Sequence, residues 1–166
     1  MQIYIIRHAI AELRENWGQS DEERPLTEEG RKKMERIARG LRNMKVTFSH
    51  LYSSPLVRAQ QTAEIVGKKI TVQTFAQTDL LVPEADPARL LPFLNEHEEE
   101  AALALVGHEP HVSSLLSFLL AGKPGSFVYF KKGGVALIEG NTPVQAGQCT
   151  LRWLLEPRHL TAIAGK

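Results

Sequence analysis

Two apolar runs in this 166-residue chain end in the same way. Ile3-Tyr4-Ile5-Ile6 runs into Arg7-His8-Ala9, and Ala101-Ala102-Leu103-Ala104-Leu105-Val106 runs into Gly107-His108-Glu109-Pro110. Short continuous apolar runs stopped by polar or turn-forming residues read as buried strands. The second is followed by a helix entrance at Glu109-Pro110 and by Val112, Leu115, Leu116, Leu119 and Leu120 at helical spacing. Strand then helix, repeated, is the grammar of an α/β fold, here a three-layer α/β/α sandwich with a mostly parallel central sheet. In open sheets of that kind ligands bind beyond the carboxyl ends of the strands, and each run delivers a histidine to that edge.

The remaining elements follow the same alternation. Glu12 to Pro25 is polar and without a period, a surface loop near the first strand end and long enough to be functional. Thr27 is placed to cap a helix whose packed stripe is Met34, Ile37, Ala38 and Leu41. The basic residues around that stripe, Lys33 among them, read as a solvated surface more readily than as a phosphate-binding face. Val46 to Tyr52 reads as a strand, and Ser54 and Pro55 as the N-cap and first residue of a helix over roughly Leu56 to Val66. Ile70 to Phe75 is a third strand, followed by a second loop from Gln77 to Pro87 and a helix from about Ala88 to Asn95. Glu96 to Glu100 reads as a solvated turn, with His97 incidental to it. Gly133-Gly134 is turn chemistry before a closing pair of strands, Val135 to Glu139 and Cys149 to Leu155.

Composition narrows the function classes. The length fits one domain, residues 1–166, and a formal net charge of +1 gives no bulk electrostatic case for nucleic acid or an anionic membrane. No apolar run approaches the roughly 20 residues of a membrane span. The first residues do not read as a signal peptide, so the expectation is a cytoplasmic protein, and a monomer. The single cysteine, Cys149, excludes an intrachain disulfide and a cysteine metal cluster and is expected only to pack.

If the strands run parallel, Arg7, His8, Arg58 and His108 converge at one sheet edge. Arg58 falls in the first turns of its helix and can reach the helix mouth, where amide donors and the positive dipole end already favour an anion. An arginine in a helix is more often a surface residue, and a lone strand-end histidine more often structural. Together, though, two guanidinium groups and two imidazoles suit a phosphoryl group. The arginines hold its oxygens, one histidine attacks phosphorus, and the other, if protonated, donates to the same oxygens. No magnesium is needed where cationic side chains neutralise the phosphate. A histidine metal site is the competing arrangement, with Arg7 and Arg58 as the objection, because cations beside a metal ion are electrostatically costly.

Arg7-His8-Ala9, Ser53-Ser54-Pro55-Leu56-Val57-Arg58-Ala59-Gln60-Gln61-Thr62-Ala63 and Val106-Gly107-His108-Glu109-Pro110 resemble the histidine phosphatase superfamily, the phosphoglycerate-mutase-like fold. Short length, Arg7-His8-Ala9-Ile10-Ala11-Glu12 and Arg24-Pro25-Leu26-Thr27 resemble its small phosphohistidine phosphatase (SixA-type) branch. Ala9 replaces the family's usual glycine and is nearly as small. The resemblance implies His8 as the nucleophile, Arg7, Arg58 and His108 as the phosphate pocket, and no cofactor and no metal. It implies as partner a phosphohistidine-bearing protein domain or a small phosphate substrate. Possible proton donors are Glu12, Glu84 and Asp86, none fixed by the motifs. The alternatives are a phosphatase of small phosphate esters or sugar phosphates and a catalytically idle phosphate-binding domain.

Overall fold

The computed structural model describes residues 1–123 and 125–165. Strands β1 (Gln2–Arg7), β2 (Phe48–Ser53), β3 (Val72–Gln77) and β4 (Ala102–Gly107) pair in parallel, and β5 (Val135–Glu139) and β6 (Thr150–Leu155) complete the sheet. β5 is antiparallel to both β1 and β6. The order across the sheet is β3-β2-β4-β1-β5-β6. Successive side chains on a strand face opposite ways, so β1 and β4 each feed two cores. Tyr4, Ile6, Ala104 and Val106 meet α1 (Glu28–Asn43), α2 (Val57–Gly67) and α5 (Pro157–Ile163) through Met34, Ile37, Ala59, Ala63 and Leu160. Ile3, Ile5, Leu103 and Leu105 meet α3 (Leu90–Leu94) and α4 (His111–Ala121) through Leu90, Leu94, Leu115 and Leu119. The three-layer α/β architecture expected from the apolar runs is the one observed.

Local chemistry sets the helix positions. Thr27 Oγ1 accepts a hydrogen bond from the Gly30 amide at 2.9 Å, the expected cap of α1. A Cβ on Gly30 would lie 2.0 Å from the Ile10 carbonyl oxygen, so only glycine lets this helix press on the segment leaving β1. α2 departs from expectation: it begins at Val57 with Leu56 as N-cap, not at Pro55 with Ser54. Ser54 still extends the sheet, its amide donating to the Val106 carbonyl, while its hydroxyl accepts from the Leu56 amide and closes a turn ahead of the helix. The helix expected over 88–95 is a 3-10 turn, Pro87–Arg89, followed by α3. Starting at Leu90 puts Pro92 in the first helical turn, where its missing N–H costs nothing. His97 is not incidental: its Nδ1 donates to the Phe93 carbonyl and its Nε2 accepts from the Tyr52 hydroxyl at 2.8 Å. α5 has no counterpart in the reading of the sequence, because seven residues with two of them buried carry no legible helical period. Among the described residues no helix is long and apolar enough to cross a membrane.

Candidate active site

Strand register brings the two histidines together. Arg7 is paired with Gly107 across β1 and β4, and the His8 amide donates to the Gly107 carbonyl at 3.0 Å. The helices that follow these two strands, α1 and α4, pack on opposite faces of the sheet. Neighbouring parallel strands whose chains leave in opposite directions open a crevice at their carboxyl ends. Arg7, His8, Arg58 and His108 line a cavity of about 340 Å³ at this point. Of the three candidate acids, Glu84 lines the cavity and Glu12 and Asp86 do not. Asp86 instead uses Oδ1 to accept from the Ala88 amide, capping the 3-10 turn.

The backbone around the cavity is tied from several sides. The Gly133 amide donates to both the Arg7 and His8 carbonyls at 3.1 Å, and the Arg7 amide donates to the Gly134 carbonyl. Gly133 has φ +79°, a left-handed conformation that favours glycine. The Ala9 amide donates to Thr62 Oγ1 at 3.1 Å, and that hydroxyl donates to the Arg58 carbonyl at 2.7 Å. Gln61 Oε1 accepts from the Leu26 amide at 2.8 Å. Thr62 and Gln61 thus fasten the helix bearing Arg58 to the segments containing Ala9 and Leu26, which gives these motif residues a mechanical reason to be polar.

The side chains have defined states. His8 is buried, and its Nδ1 lies 2.7 Å from the Ala9 carbonyl oxygen. A carbonyl only accepts, so Nδ1 carries the proton and Nε2 keeps its lone pair. Burial lowers the His8 pKa to about 3; the Ala9 hydrogen bond opposes this, and Arg58, Arg7 and Lys132 reinforce it. His108 is also buried, and its pKa falls to about 2, first by desolvation and then by His8 and Arg58. Both imidazoles are therefore neutral at physiological pH, so the protonated donor expected at His108 is not the resting form. A neutral ring still has one N–H to donate. Neither ring nitrogen of His108 has a hydrogen-bond partner among the described residues, so its one N–H is free to donate to an oxyanion. Arg58 is buried, against the usual expectation for a helical arginine. Its Nη1 and Nη2 donate to the Asp21 carbonyl and carboxylate at 2.7 and 3.0 Å. Arg7 Nη1 donates to the Phe130 carbonyl.

Sequence reasoning missed five charged residues of the cavity lining, Arg14, Asp21, Arg24, Glu109 and Lys132. Asp21 sits in the first loop and also accepts from Arg24 Nε at 2.8 Å, so one carboxylate holds two arginines of the cavity wall. Burial pushes the Asp21 carboxyl up, but Arg24, Arg58 and Arg14 overcome this and hold it below the usual carboxylate range. Arg24 in turn donates to the Glu12 carbonyl at 2.7 Å. Lys132 and Glu109 complete this group, the latter accepting from the Ser113 hydroxyl. The signal that could have found Asp21 and Arg24 is the charged run Asp21-Glu22-Glu23-Arg24, in a loop already read as lying at the strand end. Among the described residues no group of three or more His, Cys, Asp or Glu side chains is placed to hold a metal ion.

Residues 3–81 match the histidine phosphatase superfamily, branch 1. The chain is 30% identical over 164 residues to the phosphohistidine phosphatase SixA of Escherichia coli (strain K12), a match spanning 96% of each chain. It is 32% identical over 149 residues to an uncharacterised protein of Picosynechococcus sp., with 88% of this chain and 90% of the relative covered. Its fold is similar to that of the protein histidine phosphatase SixA solved as a tungstate complex, with a TM-score of 0.85 and 28% identity over 96% of this chain and 99% of the other.

Proposed function

Because this chain belongs to the histidine phosphatase superfamily, in its SixA-type branch, we propose that its phosphatase activity is directed at phosphohistidine in proteins, through a covalent intermediate on His8 and without a metal ion. His8 Nε2 attacks phosphorus, forming a P–N bond as the bond to the leaving group breaks. Water then attacks the same phosphorus and releases phosphate, returning the electron pair to Nε2. Arg7 and Arg58 bind the phosphoryl oxygens, and His108 donates one N–H to them as charge redistributes. The observation that carries this reading is the Nδ1 hydrogen bond of His8 to the Ala9 carbonyl: it fixes the tautomer that makes Nε2 a nucleophile in a cavity lined by two guanidinium groups. The tungstate held by the similar SixA structure is a tetrahedral oxyanion, the shape such a cavity suits.

Leaving-group chemistry favours phosphohistidine over an ester. An alkoxide needs a proton from a well-placed acid, whereas imidazole, with a pKa near ~6.5, takes one from solvent. Of the acids singled out in the sequence only Glu84 reaches the cavity. Asp21, engaged by two arginines, stays ionised and is no proton donor. The test is hydrolysis of a phosphohistidine peptide against a generic phosphomonoester, each with and without chelator. The expected result is faster turnover of the peptide and no effect of chelator. Faster turnover of the ester, or a strict requirement for added metal, would overturn the reading.

A further inference from the structure

Beside the His8 cavity runs a second depression, a groove of about 420 Å³ built by four parts of the chain, the first being the end of β1 and the residues just after it, with Arg7 and Ile10. Lys33 comes from α1, Tyr129, Lys131 and Lys132 from the segment between α4 and β5, and Arg158 from the first turn of α5. Arg7 and Lys132 line both the groove and the His8 cavity, so the two are continuous. Five cationic side chains face one carboxylate, Glu156, in a protein whose formal net charge is +1. Glu156 accepts from Lys131 at 3.1 Å and pairs with Arg158 at 3.0 Å, fixing two of the cations on the far wall. Among the described residues Lys33 and Lys132 have no carboxylate partner. At the rim Tyr129 is 73% exposed, and Phe127, two residues earlier, is 69% exposed.

We propose that this groove docks an acidic segment of the substrate protein, next to the phosphohistidine presented to His8. This rests on the function proposed above and names the partner's chemistry. Concentrated positive charge continuous with a phosphate site recruits carboxylates and speeds encounter. A small phosphate ester would fill the cavity without reaching Lys33 or Arg158. Tyr129, a large aromatic side chain of the groove left in solvent, is the kind of surface that a protein partner buries, and Phe127 lies exposed two residues before it in the chain.

The experiment uses two phosphohistidine peptides of equal length, one flanked by Asp and Glu and one flanked by Ser and Asn, assayed with the wild-type protein and with Lys33→Glu/Arg158→Glu. The wild type should favour the acidic peptide by roughly tenfold in kcat/KM, and the preference should shrink as salt rises. The double variant should lose the preference while hydrolysing the neutral peptide at the wild-type rate. Equal rates for the two peptides with the wild type, or a preference unchanged in the variant, overturn the proposal and leave the phosphohistidine reading standing. Binding of the unphosphorylated acidic peptide, followed by fluorescence anisotropy, gives a readout independent of turnover. If neither phosphopeptide is hydrolysed the functional reading fails. The groove is then supported by anisotropy that is weaker in the double variant and overturned by anisotropy that is the same in both.

Discussion

The His8 and His108 rings lie 5.0 Å apart between centroids and are tilted by 51°, because each follows one member of the Arg7–Gly107 pair in register across β1 and β4. At that separation two imidazolium ions would repel each other strongly, and Arg7 and Arg58 add to the positive field. The pair is neutral, with pKa values of about 3 and about 2. The hydrogen bond from His8 Nδ1 to the Ala9 carbonyl leaves Nε2 of that ring with its lone pair, while the neutral His108 ring keeps one N–H to donate.

His8→Ala is expected to abolish turnover, and phosphate trapped during turnover to sit on His8 as a phosphoramidate, lost in acid and stable in base. His108→Ala should lower kcat by about 10²–10³-fold, the usual cost of one donor to developing negative charge. His108→Asn, which keeps an N–H, should recover part of that loss. Label that survives acid, or a His108→Asn variant no better than His108→Ala, would contradict these roles.

Arg58→Lys tests the anion wall. Lysine keeps the charge but cannot span the Asp21 carbonyl and carboxylate while offering further N–H groups to phosphate. A loss of roughly 2–4 kcal/mol in transition-state stabilisation is expected from kcat/KM. Asp21→Asn should impair both kcat and KM, because Arg58 and Arg24 lose a shared anchor. Wild-type kinetics for Arg58→Lys would mean that only charge at this position matters.

The layer order and the meeting of Arg7, His8, Arg58 and His108 were legible because they depend on local patterns: an apolar run, its end, and a helix start. Parallel register then does the rest without further information. Asp21 and Lys132 were not legible, since their place in the cavity is set by how long loops fold back over the sheet edge. The role of Asp21 rests on contacts 37 residues apart in sequence. Ser54 and Pro55 show a different failure. Their cap signature was real, but Ser54 was already committed to Val106 through the sheet, and tertiary pairing outweighed local preference.

Stability should fall as pH drops below neutrality. His8, His108 and His111 are buried and neutral, with pKa values of about 3, 2 and 4, and burial is the first cause of each. In the unfolded chain they titrate near ~6.5, so between these limits the unfolded state binds more protons and is favoured as pH falls. By about pH 5 each histidine should have cost roughly 2 kcal/mol. Asp21, with its lowered pKa, adds its own loss only further into acid. Urea unfolding at about pH 7.5 and about pH 5 measures the difference, and His111→Gln should remove roughly a third of it. An unfolding free energy flat over this range would show that the three rings are not buried uncharged.

The last expectation concerns the proton on the leaving group. Glu12 lies outside the cavity lining and offers Arg24 its carbonyl oxygen; Asp86 caps a turn; of these three acids Glu84 alone lines the cavity. A dedicated general acid is worth about 10²–10⁴-fold, and its removal shows most where the leaving group is a poor one. Phosphohistidine carries its own basic ring nitrogen, so it draws little on such an acid. Glu12→Gln, Glu84→Gln and Asp86→Asn should therefore each slow phosphohistidine hydrolysis by less than about tenfold. On an alkyl phosphate the three should separate: Glu84→Gln should lower whatever slow rate exists, and the other two should not. Assays of all three variants on both substrates, with urea midpoints to exclude unfolding, decide the matter. A loss of about a hundredfold on phosphohistidine for Glu84→Gln would identify a dedicated acid and shift the preferred substrate toward phosphomonoesters.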